Sequence, residues 1–205
     1  MPTTRSYRDE CGIARALDVV GERWALLVVR ELLLAPQRFS ELRRALPHVS
    51  SNLLADRLRE LEHNGVVHRG PSSVYELTDR GRRLEPVLLA LGEWGIEVPQ
   101  PPAPTALSAT SVLIYLRHAA RPDPAGPPLV CRLELDGRVW TVSVASGRLS
   151  VSAGEPPAAD VSLRTDAKTF SALLADPSSL DTAGGVTVVG DRSVLDRLLR
   201  TVSGP

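Results

Sequence analysis

Five positions within residues 50–61 carry side chains that suit one kind of chemistry. They are Ser51, Asn52, Ala55, Asp56 and Arg59. On a helical wheel these positions share one side, which is small, polar and partly basic. An amide both donates and accepts hydrogen bonds and a guanidinium donates several, so both groups can bond to the edges of bases. The pattern indicates a helix that lies in the major groove of DNA.

The elements that would position this face are a helix, a tight turn and a second helix. Residues 38–46 suit the first helix and residues 47–49 the turn. Ser50 is a favourable N-terminal cap for the second helix, and Asn64-Gly65 is a common C-terminal stop. Apolar residues at helical spacing predict a buried stripe on this second helix. They are Leu54, Leu58 and Leu61.

A hairpin and a further helix are predicted next. Residues 66–68 and 74–77 are short β runs on either side of a turn at residues 70–73, as in the wing of a winged helix. One long helix is then predicted from Asp79 or Arg80 to about Trp94. Its apolar stripe needs a partner, which the domain core and a second subunit could share. The stripe consists of Leu84, Val87, Leu88, Leu91 and Trp94.

Two upstream helices, over residues 11–20 and from Trp24 to Leu34, complete the first half of the chain. This half resembles the HxlR branch of the MarR-like winged-helix regulators. The runs that carry the resemblance are Arg38-Phe39-Ser40-Glu41-Leu42, Leu58-Arg59-Glu60-Leu61-Glu62, Tyr75-Glu76-Leu77-Thr78 and Gly81-Arg82, with Cys11 and Gly21-Glu22-Arg23-Trp24 upstream.

The resemblance implies a transcription regulator that binds double-stranded DNA as a homodimer, on a roughly palindromic operator. In this family the first and last helices of the domain form the dimer interface. Base-edge contacts are expected from Ser51, Asn52, Ala55 and Arg59. Phosphate contacts, which position a protein without reading sequence, are expected from Arg43, Arg44 and Ser50. Arg38 and Arg69 are further DNA-binding candidates.

Several of these assignments have alternatives. Arg57 lies near the buried edge of the wheel, where it forms either an internal ion pair or a DNA contact. Without the surrounding motif, the whole arginine set would be interpreted as a solvated face. Asp56 would repel phosphate unless it is paired. The wing departs from the family pattern, because residues 69–73 are short and hold one arginine, so contact of the wing with a minor groove is left open.

Cys11 matches a cysteine that serves some members of the resembled family as an electrophile or oxidant sensor. Its expected position at the start of a helix would lower its pKa and favour the thiolate. The alternative is a small buried hydrophobic residue. The winged-helix half holds no second cysteine that could form a disulfide with it.

The composition limits other functions. The chain has 205 residues, of which 43% are apolar and 23% charged, and its net charge is zero, so any basic surface must be local. The two cysteines and four histidines show no disulfide framework or metal-ligand spacing, and no metal or cofactor is predicted. The sequence shows no leader segment, and no apolar run approaches the ~20 residues of a membrane span. We expect a cytoplasmic bacterial protein without membrane contact.

A proline-rich segment separates two predicted domains. Four prolines within residues 97–105 favour an extended spacer. The prediction therefore comprises a winged-helix domain at residues 1–97, a linker at 98–107 and a second domain at 108–205.

The second domain combines β runs with helices, and the first three β runs follow one another in quick succession. A helix over residues 111–119 comes first, and helices begin at Asp166 and Asp191. Asp136-Gly137 signals a tight hairpin between two of the runs. The β runs are at residues 129–135, 138–144, 149–151, 161–163 and 185–190. This order predicts an α+β domain with about five strands.

The second domain resembles the sterol-carrier-protein-type fold. The residues that carry the resemblance are Leu133-Glu134-Leu135-Asp136-Gly137, Trp140, Ala159-Asp160-Val161-Ser162-Leu163, Thr165-Asp166, Phe170, Leu173-Leu174 and the run 185–191. Members of that family hold an apolar ligand between sheet and helices. The resemblance therefore implies a candidate ligand pocket lined by Leu133, Trp140, Val142, Phe170 and Leu174.

Together these patterns predict a sequence-specific DNA-binding regulator, with a second domain that senses an apolar ligand or supports the dimer. We favour repression, because occupancy of an operator is the simpler default. The alternative is a carrier of lipids or apolar metabolites whose winged-helix half mediates protein contacts. No nucleophile elbow, paired carboxylates or phosphate-binding loop is recognisable, so an enzyme is not predicted.

Overall fold

The computed structural model describes residues 6–103 and 105–202. The chain divides between Ala106 and Leu107 into two compact units, here called the N-terminal unit and the C-terminal unit. The division falls at the end of the predicted linker, residues 98–107, whose extent stays a prediction. Residues 99–103 and 105–108 form neither helix nor strand.

The helix–turn–helix motif forms as the sequence predicts. Four helices precede the wing, and they are α1 (Gly12–Val20), α2 (Ala25–Leu32), α3 (Phe39–Ala45) and α4 (Ser51–His63). The predicted stripe of Leu54, Leu58 and Leu61 on α4 is confirmed, since all three are 0–1% exposed within one hydrophobic core. Burial of one side of a helix fixes its rotation, so the polar side of α4 faces outward.

The wing belongs to a three-stranded antiparallel sheet. Its strands are β1 (Gln37–Arg38), β2 (Val67–Arg69) and β3 (Val74–Leu77), in the order β1-β3-β2. The β2–β3 hairpin confirms the predicted wing. β1 is missing from the sequence prediction, because a strand of two residues has no periodicity that a pattern could reveal. By pairing with β3, it ties the start of α3 to the wing.

The prediction of one long helix after the wing is wrong. The structure has two helices there, α5 (Asp79–Arg82) and α6 (Glu85–Gly95). Pro86 explains the break, because proline has no N–H to donate to the carbonyl of Arg82 and its ring would clash with that carbonyl. In the first turn of a new helix, by contrast, a proline is tolerated.

Large apolar side chains on α1 and α6 are exposed in the N-terminal unit. They are Ile13, Leu17, Val87, Leu91 and Trp94. The stripe predicted on α6 is therefore divided, since Leu84 and Leu88 pack against the core while the others do not. An exposed apolar surface of this kind is typical of a protein–protein contact.

The C-terminal unit is a five-stranded sheet with helices. The helices are α7 (Ala109–Ala119), α8 (Ala167–Ala175) and α9 (Arg192–Leu199), with a short 3-10 turn at Pro177–Asp181. The strands are β4 (Leu129–Leu135), β5 (Arg138–Ala145), β6 (Arg148–Ala153), β7 (Val161–Thr165) and β8 (Thr187–Gly190), in the order β6-β5-β4-β7-β8. The predicted fold, a winged helix followed by an α+β unit, is confirmed.

Turns and caps explain much of the agreement in this unit. Asp136 and Gly137 both have positive φ, as the tight turn between β4 and β5 requires. Asp166 and Asp191 cap α8 and α9 by accepting hydrogen bonds from backbone N–H groups. These bonds, with those from the hydroxyls of Thr169 and Ser193, lower the pKa of both carboxyl groups. The pairing of β4 with β7 is parallel, which no local pattern predicted.

A close approach at Gly81 joins α5 to the first residues of the wing. The Thr78 hydroxyl accepts from the Gly81 N–H at 3.1 Å and donates to the Gly65 carbonyl at 2.7 Å. A Cβ added at Gly81 would lie 2.1 Å from the Val66 carbonyl oxygen. α5 therefore keeps this close approach to Val66 only if residue 81 has no side chain.

We expect Gly81→Ala to lower the free energy of unfolding by about 1–3 kcal/mol, as overpacking does. Gly92→Ala is the matched control, because a Cβ there meets no atom within 4 Å. This control should stabilise α6 by about 0.5–1 kcal/mol, since alanine is the better helix former. Urea denaturation followed by circular dichroism measures both variants. Equal stability of the two variants would contradict the packing role of Gly81.

Candidate nucleic-acid interface

The outward face of α4 is held in place at its first turn. The Ser50 hydroxyl accepts a hydrogen bond from the Leu53 N–H at 3.3 Å, which confirms the predicted cap. Ser51, Asn52 and Arg59 are exposed and Ala55 is half-buried. The four residues expected to contact base edges thus lie on the side of α4 away from the core. Their contacts with DNA stay a prediction.

Arg43 connects the two helices of the motif. Its Nε donates to the Ser51 hydroxyl at 3.1 Å, and its Nη1 donates to the Pro47 carbonyl at 3.4 Å. A residue predicted to bind phosphate is therefore bonded to one predicted to contact a base. A change at Arg43 would alter the start of α4 as well as the charge of the surface.

The other basic candidates on α3 are exposed. Arg44 lies in the last turn of α3, and Arg38 precedes its first turn. The backbone N–H of Arg38 donates to the Glu41 carboxylate at 2.6 Å, which satisfies a donor at the start of the helix. Arg44 is thus close in sequence to the turn that leads into α4, whereas Arg38 lies at the opposite end of α3.

Asp56 and Arg59 form an ion pair on the exposed face of α4. Their side chains are 47% and 69% exposed, respectively. Exposed pairs of this kind contribute only about 0–1 kcal/mol to stability. Asp56 was expected to repel phosphate unless it is paired, and Arg59 provides that pairing.

Arg57 forms the internal ion pair that was one of its two predicted roles. Its Nη1 lies 2.6 Å from the Glu60 carboxylate and 3.7 Å from that of Glu22. The side chain is only 11% exposed. Arg57 therefore links α4 to the segment between α1 and α2.

In the wing, neighbouring side chains hold Arg69. Its Nη2 donates to the Ser73 hydroxyl at 3.2 Å, and its guanidinium carbon lies 5.7 Å from the centre of the Tyr75 ring. Arg69 and Tyr75 are directly opposite on β2 and β3, so the cation–π contact is a cross-strand pair. The sequence prediction named neither Ser73 nor Tyr75 as a partner of Arg69, although its hairpin of two β runs was a signal from which the Tyr75 contact could have been found.

Cys11 is exposed and occupies the N-cap position of α1, so the alternative of a buried hydrophobic residue is wrong. Hydrogen bonds from the backbone N–H groups of Ile13 and Ala14 lower the pKa of its thiol, because they favour the thiolate. Cys131 is buried, and burial raises its pKa to about 12. The two thiols therefore differ in both access and acidity, while a sensing role of Cys11 stays a prediction.

We expect iodoacetamide to alkylate Cys11 and to spare Cys131 in the folded protein at neutral pH. The rate should rise with pH as the thiolate forms and should reach half its maximum below the pH typical of a free cysteine. Mass spectrometry of tryptic peptides measures both sites, and Cys11→Ser should remove the labelling. A midpoint at or above that of free cysteine would contradict the lowered pKa.

The residues of the candidate ligand pocket lie in the interior of the C-terminal unit. Leu133, Trp140, Val142, Phe170 and Leu174 are all 0–2% exposed. They come from β4, β5 and α8. Their role in ligand binding stays a prediction.

Two further findings concern the described ranges. Within residues 6–103 and 105–202, none of the helices combines the length and hydropathy of a membrane span. The same residues contain no cluster of three or more histidine, cysteine or acidic side chains suited to a metal ion.

The fold and the outward face of α4 define a DNA-binding transcription regulator of the winged-helix class. Residues 19–101 match the family model of the HxlR-like helix-turn-helix, and residues 126–202 match the SCP-2 sterol transfer family. The chain belongs to the HxlR-like helix-turn-helix family and carries an SCP-2-type C-terminal unit. Both predicted resemblances are confirmed.

Two proteins of similar sequence support the assignment to this family. The uncharacterized HTH-type transcriptional regulator YvaP of Bacillus subtilis is 43% identical over 89 residues, which are 40% of this chain and 82% of that protein. An uncharacterized HTH-type transcriptional regulator of Mycobacterium tuberculosis is 37% identical over 126 residues, or 58% of this chain and 74% of that protein. Among solved structures, quinone-bound YodB from B. subtilis is 34% identical over 42% of this chain and 96% of its own, with a TM-score of 0.39.

Proposed function

We propose that the protein is a homodimeric repressor that occupies a roughly palindromic operator in the cytoplasm. The observation that carries this proposal is the outward face of α4, whose opposite side is fixed in the core. Each subunit would place α4 in one major groove, with Asn52 and Arg59 at base edges and Arg44 at a phosphate. Ser51, Ala55, Ser50, Arg43, Arg38 and Arg69 complete the proposed contact surface.

The proposed dimer would bury the exposed apolar side chains of α1 and α6. Among the described residues, Ile13, Leu91 and Trp94 are 73%, 47% and 66% exposed, respectively. A symmetric dimer would also set the distance between the two α4 helices, as a palindromic operator requires. Cys11 directly precedes α1, so its modification would act next to this interface.

The C-terminal unit is proposed to sense an apolar ligand. The match to the SCP-2 sterol transfer family and the buried apolar residues of β4, β5 and α8 support this role. A ligand that separates α8 from the sheet would change the surface of the unit. Such a change, or modification of Cys11, would alter the spacing of the two α4 helices and release DNA.

Asn52→Ala should reduce discrimination by ~1–3 kcal/mol at one base pair of each half-site, because an amide pairs with adenine in a bidentate manner. Arg44→Ala should weaken all duplexes alike and lower the salt dependence by about one phosphate contact. Fluorescence anisotropy on operator variants at several salt concentrations measures both effects. An unchanged ranking of duplexes for Asn52→Ala, or a sequence-dependent loss for Arg44→Ala, would contradict the assigned roles.

Native mass spectrometry of the gently purified full-length protein tests the dimer and the ligand together. We expect a dimer, and Leu91→Glu should convert it to monomer because it places a charge in the apolar surface. Val189→Glu is the control, since Val189 is exposed on β8 in the C-terminal unit. A monomeric parent protein would overturn the palindromic-operator scheme.

The same spectra report on the ligand. Extra mass that disappears on denaturation would support ligand sensing by the C-terminal unit and would give the mass of the ligand. A dimer without extra mass would count against ligand sensing. Regulation would then rest on Cys11, with a structural role for the C-terminal unit.

A further inference from the structure

The outward face of α4 contains one carboxylate among its five candidate groove-facing residues, that of Asp56. The carboxylate accepts a hydrogen bond from Arg59 Nη2, three residues further along the helix. Both side chains extend from the face that is proposed to enter the major groove. An acidic group in this position has a cost, because DNA phosphates repel it.

We propose that Asp56 is a specificity-determining residue that acts together with Arg59 on two adjacent base pairs. This inference rests on the proposed function. Arg59 would donate to O6 and N7 of a guanine while it keeps its bond to Asp56. The second carboxylate oxygen of Asp56 would accept from the exocyclic amine of a cytosine at the neighbouring step.

The donor and acceptor count allows both contacts at once. A guanidinium has five N–H donors, and the bond with Asp56 uses one of them. A bidentate contact with guanine uses two more. A carboxylate has two acceptor oxygens, so bonding of Oδ1 to Arg59 leaves Oδ2 for a base. The pair also fixes the rotamer of a long side chain, which reduces the entropy that Arg59 loses on binding.

The neighbouring charges favour this pairing. Arg57 is next in the sequence, but its side chain is nearly buried and forms ion pairs with Glu60 and Glu22. Arg43 is bonded to Ser51 and to the Pro47 carbonyl. Within the described residues, Arg59 is therefore the cation that neutralises Asp56 on this face of α4.

The contact would increase specificity mainly by penalising wrong sequences. On DNA without a donor at the neighbouring step, the carboxylate would lose water and gain no hydrogen bond, beside a negatively charged backbone. On DNA with cytosine there, the amine compensates for this loss. Asp56 would therefore lower the affinity for most DNA sequences and would lower it little for the cognate sequence.

Selection from a random duplex library by the full-length protein tests the proposal. The parent protein should enrich half-sites with a guanine beside a cytosine. Asp56→Asn should shift the neighbouring preference from cytosine to adenine, because an amide pairs with adenine, by about five- to hundredfold in relative affinity. The same variant should bind random duplexes about two- to fivefold more tightly, the effect of one exposed charge.

Asp181→Asn is the matched control. Asp181 forms a similarly exposed ion pair with Arg192 in the C-terminal unit, so the change in net charge is the same. This control should leave base preference and random-duplex affinity unchanged. Arg59→Lys keeps the charge and loses the bidentate geometry, so it should weaken the preference for guanine.

The outcomes separate the inference from the function on which it rests. The parent protein and Asp56→Asn could enrich the same operator, with the same ratio of operator affinity to random-duplex affinity. That result would overturn the inference and leave the proposed function standing. A uniform loss of affinity with a lower melting temperature would assign Asp56 a structural role and overturn it too. If the parent protein enriches no sequence, both fail.

Discussion

The burial of one leucine stripe on α4 is the constraint on which the rest of the N-terminal unit depends. Each of Leu54, Leu58 and Leu61 contributes about 1.5–3 kcal/mol when it leaves water, so α4 cannot rotate without a large loss. A shift of one residue turns a helix by roughly 100° and would bring polar side chains into the core. The same burial that stabilises the fold therefore determines which side chains of α4 face outward.

The chain has no net charge, so its exposed arginines matter, and the tertiary structure shows which arginines are paired and which are exposed. Arg57 stabilises the interior of the unit through Glu60 and Glu22, while Arg43 and Arg69 are held by neighbouring polar and aromatic groups. Arg44, in the last turn of α3, and Arg38, before its first turn, are exposed. A basic surface that is small and partly pre-organised is consistent with recognition that depends on particular contacts more than on general attraction to phosphate.

The two units contribute different properties to the proposed regulator. The N-terminal unit has an exposed thiol, that of Cys11, at the start of α1. Two large apolar residues of the same helix, Ile13 and Leu17, are also exposed. The C-terminal unit has a buried thiol and a closed apolar interior. Signals that act on the two units would therefore differ in kind, since one requires chemical access and the other requires the interior to open.

The sequence by itself determined the elements whose signals are local: the stripe and cap of α4, the wing hairpin, the Asp136-Gly137 turn and the caps at Asp166 and Asp191. Pro86 was a local signal as well, and the helical periodicity on either side of it concealed the break between α5 and α6. Only the tertiary structure decided the parallel pairing of β4 with β7, the short strand β1, the exposure of Cys11 and the partners of each arginine. The physical reason is that these features depend on residues distant in sequence or on competition among several side chains for one partner, and neither leaves a periodic trace along the chain.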